Sequence, residues 1–200
     1  MAELTLKICV VGPCKSGKTL LCRAVAEQPL IPGEYQPTAA VRVQEFSRTM
    51  GVERIKVQLW DCSGSSQYQP YWSVLSKDLD GIILLIDPQK PDQEKELESF
   101  YMNFAQPNSL TIKQCLILAL QITKEGSYGG LSSWNGLQGK LSKLTNAYVS
   151  INPSAPTGGV QEAFLHLDKL FAGCAQHKKD VMERQVMDEE QSAPDPGPEA

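Results

Sequence analysis

The amino-acid sequence predicts an α/β domain built on a largely parallel β-sheet. Residues 4–11, 80–87 and 114–122 are apolar nearly throughout, which is typical of central parallel strands. Segments with helical spacing lie between these runs, and strands that alternate with helices favour this fold class. A chain of 200 residues suits one domain with a sizeable core.

The other elements follow from periodicity. Two segments alternate apolar and polar residues and are joined by a short link, which indicates an antiparallel hairpin. A later helix begins at Pro-Asp and carries an apolar stripe. The predicted elements are strand 4–11, helix 18–28, hairpin strands 41–46 and 55–60, strand 80–87, helix 91–106, strand 114–122, strand 147–152 and helix 159–179.

Composition and charge exclude several classes of protein. The net charge of −4 gives no basic surface for nucleic acid or anionic lipid. The six cysteines are scattered without a CxxC pair, which favours a reducing compartment such as the cytoplasm. The N-terminus does not have the pattern of a signal peptide. No apolar run approaches the roughly 20 residues of a membrane-spanning helix.

The last residues differ in composition from the rest. Residues 180–200 contain seven acidic residues and one arginine, and three prolines lie among the last ten. Such a segment buries too little apolar surface to fold alone. We therefore predict a folded domain at 1–179 and an acidic, proline-containing disordered tail at 180–200.

A glycine-rich loop follows the first strand and opens the first helix. Its spacing, G-x-x-x-x-G-K-T, is that of a phosphate-binding P-loop in the required context. Gly17 allows close approach of a phosphate, and the backbone N–H groups at the helix N-terminus bind it. Lys18 is expected to reach the β- and γ-phosphates, and Thr19 to bind Mg²⁺. The predicted phosphate-binding residues are Gly12, Pro13, Cys14, Lys15, Ser16, Gly17, Lys18, Thr19 and Leu20.

Two further motifs complete the predicted site. Asp61 and Gly64, in a D-x-x-G pattern at a strand end, are expected to hold the Mg²⁺ shell and to offer an N–H to the γ-phosphate. Thr38 is expected to close over the γ-phosphate and Mg²⁺, with Tyr35 over the nucleotide. The stretch containing Tyr35 and Thr38 is also typical of a simple proline turn. The predicted metal ligands are Thr19, Thr38 and Asp61.

The order of these three motifs resembles the Ras superfamily of small GTPases, and the Trp-Asp pair at 60–61 is Rab-like. The stretches around 12–19, 34–38, 59–64 and 114–120 resemble more closely the Rab-like small GTPases of intraflagellar transport complex B. This resemblance implies a P-loop NTPase G domain: a six-stranded, mostly parallel sheet with one antiparallel strand and helices on both faces. It also implies GTP or GDP with Mg²⁺ as ligands.

The catalytic position departs from the active small GTPases. The residue after the D-x-x-G glycine is a glutamine in those enzymes and orients the attacking water, whereas this chain has Ser65. Gln67 lies two residues later. We therefore assign no catalytic residue and expect very slow or no hydrolysis.

The base-reading motif is also altered. Thr123 and Lys124 align with the Asn-Lys pair of N-K-x-D, but Gly126 stands where the aspartate belongs. Loss of such a charge-assisted bond costs roughly 1.5–3 kcal/mol, or about 10- to 150-fold in affinity. Ser154 and Ala155 align with a final backbone contact to the base, although a plain proline-broken loop fits them equally well.

The resemblance implies a partner and a location. The chain ends without the prenylated cysteines of Rabs, so no lipid anchor is expected. The implied partner is the coiled-coil heterodimer of transport complex B, in the cytoplasm and the cilium or flagellum. Three functions compete: a nucleotide-binding transport subunit, an active GTPase switch in vesicle or ciliary trafficking, and a P-loop ATPase or kinase. Ser65 weighs against the second, and the early hairpin against the third.

Overall fold

The computed structural model describes residues 3–29, 36–90, 93–123, 134, 136–137, 139–154 and 160–192. Its strands are β1 (Leu4–Val11), β2 (Val41–Met50), β3 (Glu53–Cys62), β4 (Gly81–Ile86), β5 (Cys115–Ile122) and β6 (Thr145–Ile151). Its α-helices are α1 (Lys18–Val25), α2 (Trp72–Leu75), α3 (Gln93–Phe100) and α4 (Val160–Ser192). Short 3₁₀ turns span Ser66–Tyr71, Gln106–Asn108, Ile112–Gln114 and Gly139–Lys143, and a π-helical turn spans Tyr101–Ala105.

The strands form one six-stranded sheet in the order β2-β3-β1-β4-β5-β6 within the described residues. β2 runs antiparallel to β3, and the other neighbouring pairs are parallel. β4 is buried along its whole length, as its uninterrupted apolar sequence predicts. The predicted fold class, with one antiparallel strand, is confirmed.

Apolar side chains cover both faces of the sheet. On one face, α1 and α4 pack through residues such as Leu21, Leu167 and Phe171. On the other face, α2 and α3 contribute Trp72 and Phe100. The motifs predicted to bind phosphate follow the carboxyl ends of the parallel strands β1 and β3, where ligands of open α/β sheets bind.

Element boundaries differ most from the predicted ones in three places. The hairpin strands are longer than predicted, and a tight turn at Gly51–Val52 joins them. The helix predicted over 91–106 is α-helical at Gln93–Phe100 and continues as the π-helical turn. α4 continues beyond Lys179 to Ser192, because the local helix-forming composition persists past the apolar stripe. The domain boundary at residue 179 stays a prediction.

Candidate nucleotide-binding site

The glycine-rich loop joins β1 to α1 and packs tightly against the rest of the sheet. Gly12 has φ +148°, and a side chain there would overlap the carbonyl oxygen of Leu85 on β4. Only glycine fits this close approach of two backbones. The loop residues Gly12, Pro13 and Ser16 are buried, whereas Cys14 and Lys15 are exposed. The spacing of the motif therefore reflects packing requirements as well as ligand binding.

Lys18 folds back over the loop. Its Nζ donates hydrogen bonds to the carbonyl oxygens of Gly12 (2.9 Å) and Pro13 (2.7 Å), and the side chain is nearly buried. Burial lowers the pKa of Lys18, and the nearby Asp61 carboxylate opposes this effect. An ammonium group held inside the loop is placed to meet anionic oxygens.

Thr19, Thr38 and Asp61 form a hydrogen-bonded cluster beside the loop. The Thr19 hydroxyl donates to Asp61 Oδ2 at 2.7 Å, and the Thr38 hydroxyl donates to the same oxygen at 3.2 Å. The two hydroxyl oxygens lie 3.0 Å apart. The sequence predicted these three residues as metal ligands from separate motifs, and the fold brings them together.

One oxygen atom of this cluster lacks a hydrogen-bond partner among the described residues. Asp61 is fully buried, and its Oδ1 has no hydrogen-bond partner among the described residues. Burial raises the pKa of Asp61, while hydrogen bonds from Thr19 and the charge of Lys18 oppose the rise. Hydroxyl and carboxylate oxygens are the ligands that Mg²⁺ prefers. The orphaned carboxylate oxygen and its hydroxyl neighbours therefore fit a hard divalent cation.

The loop after β3 lies directly against the P-loop. A Cβ at Gly64 would stand 2.5 Å from the carbonyl oxygen of Gly12 and 2.7 Å from the backbone nitrogen of Cys14. No residue with a side chain fits that approach without a shift of one loop. The next residue, Ser65, lines a cavity of about 480 Å³ that lies between the two loops and α3. Cys14, Ser66, Gln69, Trp72 and Glu96 also line this cavity.

The predicted base-contacting residues are only partly described. Thr123 directly follows β5, and its N–H donates to the carbonyl oxygen of Ile151 at the end of β6 (3.0 Å). Ser154 is exposed, and its N–H bonds the Asn152 side chain (2.9 Å). The fold thus brings the two segments to the same edge of the sheet. Tyr35, Lys124 and Ala155 lie outside the described residues.

Sequence reasoning missed the part that α3 plays in the site. Gln93, Glu96 and Ser99 line the cavity next to the P-loop, although they lie far from it in the chain. The apolar stripe of this helix predicted its buried face only. No motif marks the polar residues beside that stripe, so their position depends on how α3 packs on the sheet.

Sequence and structure comparisons identify the family. Residues 7–122 match the family model of Roc, the Ras of Complex domain of DAPkinase. The chain is 59% identical over 192 residues to intraflagellar transport protein 22 of Chlamydomonas reinhardtii, an alignment that covers 95% of this chain and 99% of that protein.

Two solved structures share the fold. The GTP-bound crystal structure of T. brucei IFT22/74/81 has a TM-score of 0.63 and 28% identity, covering 85% of this chain and 96% of that chain. The GDP-bound crystal structure of T. brucei IFT22 has a TM-score of 0.57 and 25% identity, covering 85% and 98%. Within the described residues, no helix has the length and apolar character needed to cross a membrane. The match to the Roc family model and the 59% identity to the Chlamydomonas protein show that the chain belongs to the intraflagellar transport protein 22 family of Ras-like small GTPase domains.

Proposed function

We propose that this protein is a Rab-like, guanine-nucleotide-binding subunit of intraflagellar transport that acts in assembly of the cilium or flagellum. The observation that carries this proposal is the convergence of Lys18 with the Thr19–Thr38–Asp61 cluster. A buried ammonium group and an oxygen-rich cation site side by side suit a nucleotide triphosphate with its metal. The GTP- and GDP-bound states of the T. brucei relative support guanine nucleotides as the ligands.

Mg²⁺ is the proposed metal, held by Thr19, Thr38 and Asp61. The metal would neutralise charge on the phosphate oxygens. Two hydroxyl groups that already lie within hydrogen-bond distance of one carboxylate oxygen support this assignment. Residues 12–20 are proposed to line the phosphates and, with the exception of Pro13, to donate to them through backbone N–H groups, as is Gly64. Tyr35 is proposed to cover the nucleotide.

Guanine is proposed to be read by Thr123 and Lys124 and by the backbone at Ser154 and Ala155. The absence of an aspartate at Gly126 predicts weaker discrimination against adenine. Mass analysis of the nucleotide that copurifies with the protein would separate this proposal from a P-loop ATPase or kinase.

Hydrolysis is proposed to be very slow or absent. Ser65 lines the cavity beside Cys14 and Gly64. Its side chain is too short to orient the attacking water as a glutamine does. The protein would then act by binding, with the nucleotide ordering a partner-facing surface. An active GTPase switch is the alternative.

The proposed partner is the coiled-coil heterodimer of transport complex B. The T. brucei IFT22/74/81 complex supports partners of this kind. We propose that the segment after β3 docks the partner, because Tyr71 and Val74 on this segment are 59% and 70% exposed. Aromatic residues are enriched at protein interfaces. This whole surface would lie within the proposed domain at 1–179. The protein is proposed to act in the cytoplasm and at the cilium.

Substitution of Lys18 by alanine tests the nucleotide site. We expect Lys18→Ala to abolish binding of a fluorescent GTP analogue, because it removes the buried cation from the loop. Lys169→Ala is the matched control, since it removes an exposed lysine from α4. Unchanged affinity in Lys18→Ala, with a folded protein by circular dichroism, would mean that the phosphate site is misplaced.

A further inference from the structure

The last residue of β5 presents an apolar side chain to solvent at the carboxyl edge of the sheet. The residues Cys115–Gln121 are buried, whereas Ile122 is 49% exposed. Its backbone is held in register opposite Ile151 on β6. Ile122 therefore has a well-supported position at the edge where ligands of open α/β sheets bind.

The Ile122 side chain lies beside the glycine-rich loop. Side chains alternate across a strand, so Leu120 and Ile122 share one face of the sheet. Leu120 belongs to the core cluster that α1 covers. A Cβ placed on Gly17, directly before α1, would stand 2.6 Å from Leu120 Cδ2 and 3.5 Å from Ile122 Cδ1. Leu120 is buried and forms the inner part of this contact, so Ile122 forms the outer part, next to solvent.

Ile122 also adjoins the segments that are proposed to contact the base. Thr123 follows it directly and donates its N–H to the carbonyl oxygen of Ile151 (3.0 Å). Ser154 lies three residues beyond Ile151 in the chain. The proposed phosphate contacts at 12–20 lie on one side of Ile122, and the proposed base contacts lie on the other. A nucleotide that reaches both sets of contacts passes its nucleoside over this side chain.

We propose that Ile122 is a nucleoside-contacting residue, which packs against the sugar and the purine face and contributes affinity that does not depend on the identity of the base. The proposal rests on the proposed nucleotide-binding function. An apolar side chain has no donor or acceptor with which to distinguish guanine from adenine. This contact would offset part of the affinity lost where Gly126 replaces the aspartate.

The expected size of the effect follows from the apolar surface that a nucleoside would cover. Truncation of Ile122 to alanine would remove roughly 30–50 Å² of apolar contact, which corresponds to about a threefold to eightfold loss of affinity. The loss should be the same for GTP and GDP, because both carry the same nucleoside. A ligand without a nucleoside should be unaffected.

The test is displacement of a fluorescent GTP analogue from the full-length protein in the presence of Mg²⁺. The competitors are GTP, GDP and inorganic tripolyphosphate. We expect Ile122→Ala to weaken GTP and GDP by the same factor, about threefold to eightfold, and to leave the inhibition constant of tripolyphosphate unchanged. Ile122→Val keeps most of the apolar surface and should recover most of the loss.

Ile112→Ala provides the matched control. Ile112 is similarly exposed, at 54%, but lies in the 3₁₀ turn that precedes β5, at the other end of this strand. We expect no change for any of the three ligands. Unchanged GTP affinity in Ile122→Ala would overturn the inference. A tripolyphosphate affinity that falls as much as that of GTP would also overturn it, because the substitution would then act by disturbing the loop. Failure of GTP or tripolyphosphate to bind the unmodified protein would overturn the proposed phosphate site first, and this inference with it.

Discussion

The Asp61 carboxylate is fully buried, and one of its two oxygens has no hydrogen-bond partner in the described part of the chain. Its raised pKa means that the folded protein binds the proton more tightly than the unfolded chain does. At neutral pH the ionised group therefore destabilises the metal-free fold. This cost falls as the pH drops from the folded pKa towards the unfolded value.

Asp61→Asn should separate stability from metal binding. We expect the nucleotide-free variant to melt at a higher temperature than the unmodified protein at pH 7, by about 2–4 °C for each kcal/mol gained. It should also lose the additional stabilisation given by Mg²⁺ with GTP. Thermal scans with and without Mg²⁺-GTP measure both effects. The control is Asp188→Asn, at an exposed position on α4. An Asp61→Asn protein that gains as much from Mg²⁺-GTP as the unmodified one contradicts the metal assignment.

Ser65 is the residue on which the hydrolysis prediction depends. We expect single-turnover hydrolysis by the unmodified protein to be no faster than roughly 10⁻⁴ s⁻¹, the intrinsic scale of Ras. Ser65→Gln should raise the rate, because the longer amide can orient water beside Gly64. Ser66→Gln, at the next and exposed position, should not. The unmodified protein alone would instead be an active GTPase if its rate were roughly 1 s⁻¹, well above this intrinsic scale.

At the scale of one element, the segment Ser66–Leu75 divides its side chains between core and solvent. Trp72 and Leu75 are buried, and the Trp72 ring centre lies 4.6 Å from that of Phe100 on α3. Tyr71 and Val74 are exposed. Positions three apart lie on one face of a helical turn. One face therefore anchors the segment on α3, and the other is available to a partner.

Substitutions on the two faces should have different effects. Tyr71→Ala is expected to weaken binding of the complex B coiled coil in a pull-down and to leave the melting temperature nearly unchanged. Tyr68→Ala, at a half-buried position, should also weaken binding. Trp72→Ala should destabilise the fold by about 3–5 kcal/mol, since it empties a packed aromatic site. Full partner binding by both tyrosine variants would place the docking surface elsewhere.

At the scale of the whole molecule, α4 contributes to the main core and then continues past it. Leu167, Phe171 and Cys174 are fully buried between the helix and the sheet. The side chains of residues 181–188 are all exposed. Among the described side chains of α4, the buried apolar ones thus lie before residue 180, as its apolar stripe predicts.

A truncation after Lys179 tests the role of the acidic end. We expect the shortened protein to keep its melting temperature within a few degrees, because the removed side chains at 181–188 bury little apolar surface. Nucleotide and partner binding should also persist. The measurements are a thermal scan, a nucleotide titration and the same pull-down. A truncated protein that loses the partner, while Tyr68→Ala and Tyr71→Ala keep it, would locate docking in the tail.

The sequence by itself determined the fold class and the candidate site residues that lie within continuous sequence motifs. The strand and helix patterns gave the correct order of the predicted elements, because burial on one or both faces leaves a period in the chain. Spacing alone also placed the glycine-rich loop, Thr38 and Asp61 in one predicted site, and that assignment stays a prediction. The sequence also showed that Ser65 and Gly126 depart from the family pattern.

Only the tertiary structure decided how these parts meet. The hydrogen bonds of Thr19 and Thr38 to Asp61, the close contact of Gly64 with the glycine-rich loop and the pairing of Arg48 with Asp168 all join residues distant in the chain. It also decided that Trp72 is core while its neighbour Tyr71 is exposed. Such outcomes depend on how helices pack on the sheet, and long-range packing leaves no periodic or motif signal at the residues that take part in it.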